Sequence, residues 1–286
     1  MRDRRRGAPE PVPAAGGAGA GGAPTAREPR RLDGLVDRYG ERVLPVALDV
    51  TDRSAAVDAL KTARAHFGRV DVVVNNAGYA DLAAAGSMSE DDFRRQFDTN
   101  FWGVYHVSTA ALPILREQGG GTVVQFSSIG GHVGGTPGLA SYQAAKFAVD
   151  GFTRALAAET APFGIRFLVV EPGGFATDWA GSSMRIPRVA PEYEPTVGAM
   201  ARTLAGPASG AGDPARAGEI LVRVVKRPEL PSHLILGAGA ARMARDHAHH
   251  RLAEVAAWEP VSRSADHGQE YPVALPGPAR EAAVHP

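Results

Sequence analysis

The chain has 286 residues, 44% of them hydrophobic, and its 31 Lys and Arg are balanced by 31 Asp and Glu. That length and apolar share suffice for one α/β domain with a real core, and the balanced charge argues against a nucleic-acid partner or an anionic membrane surface. There is no cysteine, which removes disulfides, thiolate catalysis and zinc–thiolate sites and fits a reducing, cytoplasmic setting. No apolar run reaches the ~18 residues of a membrane span. The opening Met-Arg-Asp-Arg-Arg-Arg leads into Gly, Ala and Pro, not into the apolar core of a secretory leader.

Residues 1–24 are rich in Gly, Ala, Pro and Arg, lack apolar periodicity and read as a disordered tail. Within them residues 16–22 have the composition of a phosphate loop. Such a loop needs a strand before it and a helix after it, and here prolines stand on both sides, so the stretch is set aside. Order is expected from Thr25. Residues 31–39 predict a helix, with Leu32, Leu35 and Val36 on one face and Gly40 as its C-cap. Residues 43–50 read as a buried strand in which Pro45 implies one unpaired side. Thr51 or Ser54 then caps a helix whose core face carries Val57, Leu60 and Phe67. Residues 70–74 are valine except for Asp71, which predicts a strand covered on both faces and therefore parallel.

Ser89-Glu-Asp-Asp92 resembles a capping box, and Phe93, Phe97, Phe101 and Val104 extend a helical stripe to about Glu117. Residues 121–128 form a β-branched strand that ends in two hydroxyls, Ser127 and Ser128. Behind them residues 142–151 predict a helix of small and apolar side chains. Residues 165–171 are another apolar strand, closed by Pro172-Gly173. Residues 175–212 are loop-rich, and their Trp179, Met184, Ile186 and Met200 suggest an apolar lid. Asp213-Pro214 heads a helix to about Val225, residues 233–237 are the last strand, 240–258 a final helix, and a tail begins near Ser264. Strands alternating with helices in this way predict an α/β fold with a doubly wound parallel sheet, a single domain over 25–263 between two tails.

Tyr142 and Lys146 are four apart and share one helical face. A phenol titrates near 10, and an adjacent ammonium favours its ionised form. A shift of about three units corresponds to about 4 kcal/mol. Ser128 at the strand tip would hydrogen-bond a substrate oxygen as charge develops on it. Ser127 is the alternative, one strand position off and facing the other way. In isolation the Tyr142–Lys146 spacing is equally that of an ordinary helical pair.

The surroundings change that. Asn75-Asn76-Ala77-Gly78 directly follows the valine strand, Asn100 lies within Asp98-Thr-Asn-Phe-Trp, and Pro172-Gly173-Gly-Phe-Ala-Thr177 follows the apolar strand. With Ser128, Tyr142 and Lys146, this set resembles the short-chain dehydrogenases/reductases over roughly residues 25–263. The resemblance implies a Rossmann-type sheet and an oxidoreductase that interconverts a carbonyl and an alcohol; the apolar residues of the 175–212 lid add the expectation of a small, apolar substrate. It implies Tyr142 as general acid/base, Lys146 lowering the phenol's pKa and holding the ribose, Ser128 polarising the substrate oxygen and Asn100 holding a water in the proton relay. For the cofactor it implies Asp49 and Val50 at the adenine, Asn76, Ala77 and Gly78 beside the dinucleotide, and Pro172, Gly173 and Thr177 along the nicotinamide. Arg27 stands where an arginine selects the 2′-phosphate, so NADP is expected before NAD. Family members pair through helices equivalent to residues 89–117 and 142–160, which implies a homodimer or homotetramer.

Two departures accompany the likeness. Ser128 lies fourteen residues before Tyr142, one more than is usual, with Gly134-Gly135 as the place to absorb it. The family's opening strand and Thr-Gly-x-x-x-Gly-x-Gly loop, whose amides hold the pyrophosphate, have no counterpart. The first βα unit and most of the second strand are therefore expected to be absent. A coding frame misread upstream of about Ala23 would account for that, and translating the upstream DNA in the other two frames tests it. The competing reading is a non-catalytic remnant or scaffold that cannot bind a dinucleotide.

Overall fold

The computed structural model describes residues 20–177, 184–205 and 212–277. The Arg4–Arg6 cluster, Gly16–Gly19 and Trp179 fall outside them. The chain divides into two compact units, Met1–Ala240 and Ala241–Pro286.

The first unit is an α/β fold with parallel strands. β1 (Thr25–Ala26) and β2 (Val46–Ala47) pair in parallel on either side of α1 (Asp33–Tyr39). α2 (Arg53–Phe67) is capped by Asp52, not by Thr51 or Ser54, because the Asp52 carboxylate accepts from the Ser54 and Ala55 amides. β3 (Val72–Asn75), β4 (Ala80–Asp81), α3 (Glu90–Phe97) and α4 (Gly103–Glu117) follow. The expected helix over 89–117 is thus two helices joined by a π-turn, Asp98–Trp102. Then come β5 (Gly121–Phe126), α5 (Ala140–Thr160), β6 (Ile165–Pro172), β7 (Met184–Arg185), α6 (Ala199–Ala205), α7 (Pro214–Val225) and β8 (His233–Leu236). Asp213 caps α7 as expected.

Among the described residues the main sheet has four parallel strands in the order β3-β5-β6-β8, with β1-β2 and β4-β7 as separate pairs. One face packs Val73, Val123 and Phe167 against α2, α4 and α5. On the other face Val124, Leu168 and Val170 are covered by Ala217, Leu221 and Val224 of α7. Val74 is the in-register neighbour of Val124 and shares that second face, yet Val72 and Val74 are 39% and 53% exposed. The valine strand is therefore parallel but not covered on both faces. It is an edge strand among the described residues, and nothing described lies over its second face.

The segment predicted as a strand over 43–50 narrows to two residues of β2: Pro24 withholds a donor from the ladder with β1, while Pro45 stands between the donors Leu44 and Val46 and faces the other side. Pairing starts earlier than Thr25: the Gly22 amide donates to the Arg42 carbonyl at 2.9 Å, and Leu44 donates back to Gly22 at 3.0 Å. Gly21 lies under the Phe67 ring, where a Cβ would come within 2.3 Å. The second unit holds most of α8 (Ala238–Ser264), longer than the helix expected over 240–258, and the turns after it. No described helix is long and apolar enough to cross a membrane.

Candidate active site

The site is built where β5 ends. The Ser127 amide continues the ladder to Val170 at 2.9 Å, and its hydroxyl donates to the Lys146 carbonyl at 3.0 Å. That buries Ser127 against α5. Ser128 turns away and caps a 3-10 turn, Ile129–Gly131, by accepting from the Gly130 amide at 3.1 Å. Its hydroxyl also bonds the Tyr142 phenol, so of the two serines it is Ser128 that meets the tyrosine. The loop between them passes through Gly134 and Gly135 at φ 68° and 76°, a left-handed pair that only glycine adopts without strain.

Tyr142 stands in the first turn of α5, 7% exposed, among Leu82, Leu139, Met184 and Val197. One turn on, Lys146 is 4% exposed and donates to the Phe126 carbonyl at 2.7 Å, its ammonium 5.7 Å from the centre of the Tyr142 ring. Burial dominates both groups. It pushes the phenol up, partly offset by the Ser128 hydroxyl, and pulls Lys146 down to about 8. In this dry arrangement the hydroxyl that favours the phenolate comes from Ser128.

Asn100 is fully buried in the π-turn, an irregularity frequent at functional sites. Its amide donates to the Tyr79 and Gln96 carbonyls, both at 2.9 Å, and its oxygen accepts from the Tyr79 amide at 3.2 Å. The side chain thereby holds the loop that leaves β3. Gly78 in that loop has no room for a side chain: a Cβ would lie 2.5 Å from Asn100 Oδ1 and 3.5 Å from Lys146 Nζ. Ser128, Tyr142, Lys146, Asn100 and Gly78 are thus one connected cluster.

Gln96, Ser108, Gln125 and Ser141 of the polar frame were not singled out from the sequence; Asn75 was, as part of the motif after the valine strand. Gln96, one turn before Asn100 and fully buried, accepts from the Asp81 amide at 3.0 Å and donates to Ser141, beside Tyr142, at 2.8 Å. Asn75, Ser108 and Gln125 close a buried triangle of hydrogen bonds of 2.8–3.1 Å that ties β3, α4 and β5 together. The i, i+4 spacing of Gln96 and Asn100 was the one available signal. Over the tyrosine, Arg185 of β7 bridges Asp81 at 2.9 Å and Asp92 at 2.7 Å. Asp92 is held down at about 2, by the Ser89 hydroxyl first and Arg185 second. Of the lid residues expected to line an apolar pocket, Met184 and Met200 join the Tyr142 cluster, whereas Ile186 is 40% exposed.

The residues expected at a cofactor fall into three groups at carboxyl ends of parallel strands, the usual ligand edge of such a sheet. Arg27 follows β1, and its charge acts on Asp49 after β2, whose carboxylate accepts from the Thr51 amide and hydroxyl. Val50 packs where a Gly103 side chain would be, 2.5 Å from a Cβ there. Asn76, Ala77 and Gly78 are exposed beyond β3. Pro172 and Gly173 end β6, the Gly173 amide bonding Leu236 at 2.9 Å, and Thr177 lies exposed beyond them. Gly78 next to the Tyr142–Lys146 cluster, with an arginine and an aspartate at the far strand ends, is chemistry that suits the two ends of a dinucleotide. The described residues show no strand–glycine turn–helix for its phosphates. They hold no cluster of three or more residues suited to a metal ion.

Residues 16–185 match the short chain dehydrogenase family. Oxidoreductase BOA17 of Botryotinia fuckeliana is 49% identical over 222 residues, 77% of this chain and 81% of that protein. The uncharacterized oxidoreductase C162.03 of Schizosaccharomyces pombe is 35% identical over 206 residues, covering 71% and 70%. Among solved structures, a short-chain dehydrogenase from Streptomyces avermitilis superposes with a TM-score of 0.80 at 36% identity, covering 87% of this chain and 91% of that one. An alcohol dehydrogenase from the archaeon Thermococcus sibiricus, complexed with 5-hydroxy-NADP, gives 0.63 at 25% identity, covering 77% and 87%.

Proposed function

We propose an activity for a chain that belongs to the short-chain dehydrogenase family: it interconverts a carbonyl and an alcohol with NADP or NAD. The observation that carries this reading is the hydroxyl pair, Ser128 bonded to Tyr142, with a buried Lys146 one turn below. When bound, the dinucleotide supplies or accepts the hydride. Gly78, Lys146, Pro172, Gly173 and Thr177 would hold its nicotinamide end, and Arg27, Asp49 and Val50 its adenine end. The Ser128 and Tyr142 hydroxyls, already within bonding reach of each other, would both address the substrate oxygen. Ser128 donates to that oxygen, and Tyr142 gives it a proton in reduction or removes one in oxidation. Lys146 compensates the phenolate, and Asn100 fixes the loop beside it. Arg27 is exposed and cationic beyond β1, which favours NADP. The aliphatic surroundings of Tyr142, Leu82, Leu139, Met184 and Val197, favour a small apolar substrate. We place the enzyme in the cytoplasm, as a homodimer or homotetramer.

The uncovered Val72–Val74 face favours the competing reading of a scaffold without dinucleotide. Titrating the full chain with NADPH while following nicotinamide fluorescence separates the two. Saturable binding, with oxidation of NADPH in the presence of an apolar ketone or aldehyde, is expected. No saturation at millimolar cofactor defeats the oxidoreductase activity for this chain.

A further inference from the structure

Glu171 is a charged residue in a place where packing alone calls for an apolar one. It is 1% exposed at the end of β6, on the face that Ile165 and Phe167 turn toward α5, opposite to Val170. The residue after it begins the Pro172-Gly173 turn. Its partner is His132, whose Nδ1 lies 3.2 Å from Oε1 and 3.0 Å from Oε2. The geometry serves Oε1, and Oε2 is left buried with no hydrogen bond. Burying a carboxylate on so little compensation is unfavourable. A core leucine or valine would avoid it.

His132 occupies a particular place. It closes the single turn that begins with Ser128: the Gly131 amide bonds the Ser128 carbonyl at 2.9 Å, and the His132 and Val133 amides bond Ile129 at 3.1 and 2.9 Å. Underneath, that turn is pressed onto α5, since a Cβ on Gly131 would lie 2.5 Å from Ser127 Oγ and 2.7 Å from Lys146 Cβ. The turn is thus fixed at its start by the β5 ladder, below by α5 and at its far end by the His132 side chain on Glu171. The last of these runs to β6, the strand that carries Pro172 and Gly173.

We infer that Glu171 and His132 are a positioning pair that locks the Ser128-bearing turn to the end of β6. The pair sets where the Ser128 hydroxyl stands relative to the turn expected along the nicotinamide. Its kinetic consequence rests on the oxidoreductase reading; its structural consequence does not. Hydrogen exchange of the turn's amides tests the latter directly. In Glu171→Ala and His132→Ala the Gly130, Gly131 and Val133 amides exchange at least ~10-fold faster, while Val123 and Val124 in β5 keep their protection. His132→Arg restores protection, because a guanidinium can reach both carboxylate oxygens. Glu171→Leu removes both oxygens at close to the same volume and serves as the variant of choice should alanine unfold the chain. In turnover, Glu171→Ala and His132→Ala lower kcat by ~10–100-fold with the NADPH dissociation constant unchanged, as expected for a misplaced group. Unchanged exchange in Glu171→Ala and Glu171→Leu overturns the inference, whatever turnover does, and so does equal loss of protection in β5. Raised exchange in the turn alone, in a chain that turns over no substrate, upholds the pair and defeats the oxidoreductase reading instead.

Discussion

Two edges of the same parallel sheet stand in opposite conditions. At the carboxyl ends of β5 and β6, Ser127, Ser128, Lys146 and Asn100 each have a named partner within 3.2 Å, and an apolar cluster closes over Tyr142. At β3 the sheet stops, with Val72 and Val74 on a face nothing described covers, and β1-β2 forms a separate pair. The first edge is preorganised by polar contacts among residues 75–171 and by Met184, Arg185 and Val197 packed over them. The second is where the phosphates of a dinucleotide would have to be held. The difference teaches that, on the proposed function, the Ser128–Tyr142 cluster shares Lys146 and Gly78 with the nicotinamide end but is built apart from Arg27 and Asp49, so it and the adenine end can be broken separately.

The largest effect is expected at the finished edge. Tyr142→Phe keeps the ring in its apolar cluster and removes the acid/base with its bond to Ser128, so turnover falls by ~10²–10⁴-fold with NADPH binding unchanged and stability altered by no more than ~1 kcal/mol. Steady-state kinetics with a fluorescence titration on the same sample check both halves. Turnover that survives the substitution removes Tyr142 from the mechanism.

Lys146→Met separates activity from stability. Burial lowers Lys146 to about 8 from 10.5, so between those values the folded chain binds fewer protons than the unfolded one. Stability therefore rises as pH increases from about 8 toward 10.5, and below about 8 the buried ammonium is at its most unfavourable. Methionine removes that burden, worth up to ~3 kcal/mol at pH 7, less ~1 kcal/mol for the lost bond to the Phe126 carbonyl. Urea unfolding at pH 7 and pH 10 should show a gain at the first that shrinks at the second, in a variant without turnover. A variant less stable than the parent at pH 7 means that the ammonium is better compensated than the Phe126 carbonyl alone allows.

At the other edge, Arg27→Ala weakens NADPH binding by ~10-fold through one lost charge-assisted contact and leaves NADH unaffected. Equal weakening of both cofactors takes Arg27 away from the 2′-phosphate.

What the sequence made legible follows the same division. Local patterns announced the helices and parallel strands, and the Ser128, Tyr142–Lys146 and Asn100 positions came from spacing and motif. The bare face of β3 was not legible, because a valine run has the same composition whether one face or both are covered. The pairing that begins at Gly22 was hidden too, in a stretch whose glycines contribute backbone and an absence of Cβ, neither of which has a periodicity. Gln96–Ser141 and His132–Glu171 join residues 45 and 39 positions apart. No single-chain pattern connects them; they exist only once β6 and α5 are packed.

The smallest expected effect bears on the comparison itself. Val74 and Val124 are in-register neighbours on one sheet face, 53% and 1% exposed, so the same substitution at each differs only in what covers it. Val124→Thr buries a hydroxyl beneath α7 and destabilises by ~1–3 kcal/mol. Val74→Thr puts the hydroxyl in water and changes stability by less than ~0.5 kcal/mol. Thermal melts of the two variants in parallel read the difference. A loss at Val74 as large as at Val124 would mean that this face is covered in solution by polypeptide outside the described residues. Since Val72 and Val74 lie beside the exit toward Asn76 and Gly78, that same covering segment would be the first place to look for the phosphate cradle.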